Sequence, residues 1–332
     1  MEFVTILLFV VGIIFIVKGG DFFVDAASWI AEVSGIPKLI IGATIVSVAT
    51  TLPELLVSII AATNGQVDMA VGNAVGSVTA NTGLIMALSL IFMPSMIKRK
   101  EFIGKSAFLV GATALTLIGG LLDGINIWFS IALLLIFAIF LVENVMLAKK
   151  NEGVCLEDGK AESVENTSST VKKDKKTIII NVVKFILGVA GIVFGADFLV
   201  DSATDIAKWI GVSDRIIGVT IVAVGTSLPE LVTTITAIVK KQSDLSVGNI
   251  LGANILDMTL IMPLCAIVSG SMLPISFSSA VIDISACLLA CLITVVPMLI
   301  TSKFSRWQGC VLIAVYVGYL VVTCLDPLAV AV

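Results

Sequence analysis

Gly42-Ala-Thr-Ile-Val-Ser-Val-Ala-Thr-Thr-Leu-Pro-Glu-Leu55 returns 176 residues later as Gly218-Val-Thr-Ile-Val-Ala-Val-Gly-Thr-Ser-Leu-Pro-Glu-Leu231. The register holds without a gap on both sides. Upstream, Gly19-Gly-Asp-Phe-Phe-Val-Asp25 falls on Gly195-Ala-Asp-Phe-Leu-Val-Asp201. Downstream, Val71-Gly-Asn-Ala-Val-Gly76 falls on Val247-Gly-Asn-Ile-Leu-Gly252, and Leu84-Ile-Met86 on Leu260-Ile-Met262. Across this stretch 32 of 68 aligned positions are identical. Apolar low complexity cannot place Pro, Glu, Asp and Asn in one register, so the chain is an internal duplication.

Both copies sit in apolar surroundings. Of 332 residues, 58% are hydrophobic and only 13% charged, where a soluble domain carries about a quarter charged. The apolar residues fall in blocks of bilayer-crossing length, and the alternation of an outer-membrane barrel is absent. The pattern predicts an all-α membrane protein, because helices satisfy every backbone group internally. Ten transmembrane helices are expected near 3–22, 39–62, 69–94, 102–121, 126–147, 178–200, 215–239, 246–269, 277–301 and 308–326. The first block lacks a basic leader and a cleavage site, so it reads as a spanning helix rather than a signal peptide.

The organisation predicted is a first five-helix repeat (1–147), a polar linker (148–177) and a second five-helix repeat (178–332). The linker is rich in Lys, Glu, Ser and Asp and reads as mobile. Five helices is an odd number, so the second copy enters from the opposite face and the repeats are inverted. Transporters built this way bind substrate near the midplane, where the copies meet. Lys98, Arg99, Lys100 and Lys105, the linker, Lys240/Lys241 and Lys303/Arg306 fall in alternate connections. The positive-inside rule puts these in the cytoplasm and both termini outside an inner (plasma) membrane. Lys208 and Arg215 run against the rule.

The repeated motif carries the chemistry. Pro53 and Pro229 each remove a helical hydrogen bond, freeing the carbonyls of Ala49 and Gly225. Thr50 and Glu54 are four apart and share a face, as do Thr226 and Glu230. The following helix adds Asn73, Ser77 and Asn81 in one copy, and Asn249, Ala253 and Asp257 in the other. For the two asparagines, helix packing is as good a reading as a site. No Lys or Arg lies within 42–62, 69–94, 218–239 or 246–269. Glu54, Glu230 and Asp257 therefore lack a protein cation, and either protons or mobile cations neutralise them. Carboxylate, hydroxyl, amide and carbonyl oxygens suit a hard cation such as Ca²⁺. The chain has no histidine, which removes the usual soft-metal ligand and proton shuttle. Its six cysteines show no metal-ligand spacing. Asp21, Asp25, Asp197, Asp201 and Glu143 lie nearer helix ends, where an interfacial role fits, and Asp283 has no counterpart in the other copy.

At these residues the sequence resembles the calcium/cation antiporter superfamily, and within it the prokaryotic sodium/calcium exchangers. Their repeats carry Gly-Thr-Ser-Leu-Pro-Glu followed by Gly-Asn-x-x-Gly-Ser-Asn. Gly225-Thr226-Ser227-Leu228-Pro229-Glu230 is intact here, while the first copy has Ala49-Thr50-Thr51. Ser77-Val78 and Ala253-Asn254 each keep half of the Ser-Asn pair. The resemblance implies alternating-access antiport of calcium against sodium. Its ligands would come from Thr50, Glu54, Ser77, Asn81, Thr226, Glu230 and Asp257, with Thr51 and Ser227 as further candidates. It implies no enzyme activity and no cofactor. The expected partners are calcium ion, sodium ion and the lipid bilayer, without nucleic acid; oligomeric state is not legible. A proton-coupled calcium antiporter, a cation channel and a non-transporting scaffold are the alternatives. The unmatched carboxylates speak against the scaffold.

Overall fold

The computed structural model describes residues 2–94, 99–122, 124–157, 175–209, 225, 227–270, 272–277 and 280–325. In chain order it contains α1 (Glu2–Ser34), α2 (Lys38–Thr63), α3 (Val67–Phe92), α4 (Arg99–Leu121), the strand β1 (Gly124–Asn126) and α5 (Ile127–Glu157). There follow α6 (Lys175–Trp209), α7 (Leu228–Val239), α8 (Ser243–Val268), the strand β2 (Met272–Pro274), α9 (residues 280–301) and α10 (Arg306–Leu325). Nine of these helices, among the described residues, are long and apolar enough to cross a membrane; α7 is the shorter one. The first part of the expected seventh helix, and Thr226, lie outside the described residues.

Several boundaries differ from expectation. α1 runs to Ser34 and α6 to Trp209, well past the predicted ends at 22 and 200. Asp21 and Asp25 do not end α1; Lys240 reaches them at 3.2 and 2.8 Å, so helix carrying carboxylates continues. α5 continues to Glu157, into the stretch read as linker.

Glycine explains how α1 and α6 pair. A Cβ on Gly12 would meet Gly195 O at 3.0 Å, and one on Gly195 would meet Gly12 O at 2.9 Å. Seven residues along, Gly19 faces Gly188 in the same way, with Ile192 N at 2.8 Å. Rising numbers in α1 meet falling numbers in α6, so the helices are antiparallel. Gly12 and Gly19 are the duplicates of Gly188 and Gly195, so each contact has its counterpart across the pair. That reciprocity is what an inverted repeat related by a two-fold in the membrane plane produces. Close backbone approach of this kind is how helices gain dispersion contact in lipid.

The turns repeat bond for bond. Gly65 N and Lys241 N donate to Ala62 O and Ile238 O at 3.1 and 3.0 Å, and Gln66 N and Gln242 N to Ala61 O and Ala237 O at 2.9 and 2.7 Å. Both turns need a left-handed residue, Gly65 at φ 76° and Lys241 at φ 56°. Lysine holds this unfavourable conformation because the duplicated turn dictates it.

Contacts between connections show which share a side. Lys38, just after the α1–α2 turn, donates to Gln242 of the α7–α8 turn at 2.7 Å. On the other side β1 pairs antiparallel with β2, Ile125 opposite Leu273, joining the α4–α5 and α8–α9 connections. This parity is the one expected of a chain that crosses at every helix. The core has two parts. One gathers α2–α5 and α8–α10 around Phe102, Leu109, Met258 and Met262; the other joins α1 and α6 to Ile41, Val46 and Val232.

Candidate cation site

α2 delivers Thr50, Thr51 and Glu54 to the interior, each buried, from a helix that contains Pro53 and follows a π-helical turn at Gly42–Val46. Proline has no N–H, so the Ala49 carbonyl loses its helical partner. The second copy is built differently. Pro229 lies in the first turn of α7 rather than inside a helix, with Ser227 as the preceding cap. Proline is favoured there, where its missing N–H costs nothing. Glu230 consequently sits in the first turn, at the positive end of the helix dipole.

α3 and α8 change winding at the residues that matter. A π-helical turn begins at Asn81 in α3 and another at Asp257 in α8, the same position in the two copies. One extra residue per turn loosens the ladder and redirects a side chain, which is why such turns gather at functional positions.

The three carboxyls are sealed: Glu54 is 1% exposed, Glu230 0% and Asp257 1%. Glu54 lies beside both Glu230 and Asp257, close enough for their charges to interact. Thr51 Oγ1 donates to Glu230 Oε1 at 3.4 Å, a contact between the two repeats. Both Glu54 oxygens, both Asp257 oxygens and Glu230 Oε2 are buried without a hydrogen-bond partner, as are Ser77 Oγ, Ser227 Oγ and the amide oxygen of Asn81. Apart from the two hydroxyls, which also donate, these atoms are acceptors only. A positive ion would satisfy such a set. Among the described residues no three Asp, Glu, Cys or His side chains close on one metal-sized point. A cation here must draw ligands from hydroxyl, amide and carbonyl oxygen too, which suits Ca²⁺ or Na⁺ better than a soft metal.

Of the sequence-predicted residues, Thr50, Thr51, Glu54, Ser77, Asn81, Ser227, Glu230 and Asp257 are all described and all buried. Asn73 and Asn249 turn out to brace the site. Asn73 Nδ2 donates to the Glu54 backbone carbonyl at 3.2 Å and to Ser58 Oγ at 2.8 Å. Asn249 accepts from Thr50 Oγ1 at 3.2 Å and donates to Thr233 Oγ1 at 3.0 Å, linking α2 to α7. Sequence reading missed Thr233, Ser58, and the bond from Asn254 Nδ2 to Thr82 Oγ1 at 2.8 Å that ties α8 to α3. Residues 58 and 234 are hydroxyl-bearing in both copies, a signal that was available. Asp283 meets Tyr319 of α10. Glu143 packs over Gly104 of α4. Cys287 and Cys291 are free and buried, in keeping with a packing role.

The family model described as sodium/calcium exchanger protein matches residues 4–146 and 180–325, one span for each repeat. The chain belongs to the sodium/calcium exchanger family. It is 30% identical over 349 residues to a sodium/calcium exchanger of Methanosarcina acetivorans, covering 96% of this chain and 98% of that one. An inner membrane protein of Escherichia coli K12 is 35% identical over 280 residues, 82% of each. A solved structure of the sodium-calcium exchanger NCX_Mj, soaked with Na⁺ and Sr²⁺, superposes with a TM-score of 0.78 at 29% identity, covering 98% of this chain and all of that one. Membership makes this exchanger an integral membrane transporter rather than an enzyme, with cation antiport involving calcium as its class of activity.

Proposed function

We propose that this chain exchanges calcium for sodium by alternating access, at one midplane site shared by the two inverted repeats. The observation that carries this reading is the set of partnerless oxygens around Glu54, Glu230 and Asp257. Calcium takes six to eight oxygens. Thr50, Thr51, Ser77, Asn81, Thr226 and Ser227 supplement the carboxylates. Sodium ions entering the same oxygens would displace calcium, and that competition is the physical basis of antiport. Uptake of calcium-45 into sodium-loaded proteoliposomes tests it: uptake should rise with the outward sodium gradient. Uptake that ignores sodium and follows an imposed pH gradient would transfer the coupling to protons carried by the same carboxyls.

Ala253 is buried where the first copy has Ser77. Ala253→Ser adds a ligand hydroxyl worth about 1 kcal/mol, so sodium should inhibit calcium uptake at a concentration up to about fivefold lower. The half-inhibitory sodium concentration reads this directly.

We further place the termini outside the inner (plasma) membrane and the 148–177 linker in the cytoplasm, following the basic connections. In a cysteine-free background, a membrane-impermeant maleimide should label Asn64→Cys from outside only and Lys241→Cys from inside only. Reversed labelling would invert the orientation.

A further inference from the structure

Where α1 and α6 meet the α7–α8 turn, the fold opens a cleft of about 620 Å³. That is the scale of a small-molecule pocket, roughly 300–1,000 Å³. α1 supplies Asp25, Ser28, Trp29 and Glu32 to one wall, α6 supplies Lys184 to another, and Lys240 and Gln242 come from the turn.

The acids at its rim are already matched. Asp25 pairs with Lys240 at 2.8 Å and Glu32 with Lys38 at 3.3 Å. What is left over is a set of donors. Ser28, only 8% exposed, has a buried hydroxyl without a hydrogen-bond partner, and Trp29 Nε1 beside it is buried and equally unmatched. An indole N–H can only donate. Lys184 has no ionic partner among the described residues. A hydroxyl, an indole N–H and a free ammonium around one cleft ask for a multi-oxygen anion. The wall is amphipathic, with a tryptophan at the polar end of a spanning helix, the level at which headgroups lie.

We propose that this cleft is a phosphate-recognition site, filled by the headgroup phosphate of a membrane phospholipid and held by Lys184, Ser28 and Trp29. It bridges α1, α6 and the α7–α8 turn, and it is independent of the cation reading.

The test is native mass spectrometry of the full-length protein in detergent, titrated with palmitoyl-oleoyl phosphatidylethanolamine, with diacylglycerol of the same chains, and with inorganic phosphate. Wild-type protein should retain one phospholipid per chain and no diacylglycerol. Lys184→Gln should weaken retention about tenfold, the loss of one charge-assisted hydrogen bond. Ser28→Ala, which removes a hydroxyl that has no protein partner, should weaken it a few-fold with an unchanged melting temperature. If inorganic phosphate displaces the lipid with the same Lys184 dependence, the site reads phosphate from either source. If phosphate binds alone, the free anion is the ligand. Adducts that ignore both substitutions, or diacylglycerol retained as well as phospholipid, would overturn the proposal.

Discussion

Glu54→Gln combined with Glu230→Gln should abolish calcium exchange and leave the protein folded. Glutamine keeps the shape of each side chain, and its amide oxygen still accepts from Thr51 at position 230. Neither Glu54 oxygen has a protein partner to lose. Removing two adjacent charges relieves repulsion between them, so the fold has little reason to weaken. On the proposed assignment, however, the transported ion loses both glutamate carboxylates as ligands. Withdrawing one member of a buried charge pair costs about 3–5 kcal/mol, which is roughly a hundredfold or more in affinity for each substitution. Initial rates of calcium-45 uptake, set beside size-exclusion profiles of the purified variant, separate the two effects. Exchange at the wild-type rate would reject these residues as ligands.

Gly248→Val is expected to remove the folded protein altogether. A Cβ at Gly248 would fall on the Leu39 carbonyl, with Leu39 Cα at 3.0 Å. A Cβ on Gly42 would meet Asn249 N at 2.8 Å across the same crossing of α2 and α8. Both obstacles are backbone, so no rotamer change makes room. Overpacking a core costs about 1–3 kcal/mol where side chains can shift, and more where they cannot. Gly111→Val on α4, where a Cβ meets nothing within 4 Å, is the control and should melt like wild type. Fluorescence-detected size exclusion after a heating series measures both. A monodisperse Gly248→Val protein with a wild-type melting point would mean that α2 and α8 do not cross this closely.

How far the sequence could be read follows from what kind of information each feature needs. The duplication, the membrane-spanning blocks and the Thr-x-x-Pro-Glu motif are local or periodic, so Glu54 and Glu230 stood out at once. Asp257 followed from the register with Asn81. The π-helical turns beginning at those two residues did not, because one extra residue per turn leaves apolar block lengths unchanged. The continuation of α1 past Asp21 and Asp25 goes with Lys240, more than 200 residues away, meeting both carboxylates. No local signal encodes that partner. The Asn254–Thr82 bond was hidden for a different reason: residue 78 is valine and residue 258 methionine, so neither partner has a polar counterpart in the other repeat. Pro229 shows the limit of the duplication itself. The same residue in the same motif lies inside a helix in one copy and opens a helix in the other.

The most direct measurement is an anomalous-scattering map from crystals soaked in Sr²⁺, collected with and without excess Na⁺. A single strong peak in contact with the Glu54 and Glu230 carboxylates, reduced or displaced when sodium is added, is the predicted result. Strontium bound elsewhere, with the three buried carboxyls untouched, would contradict the account.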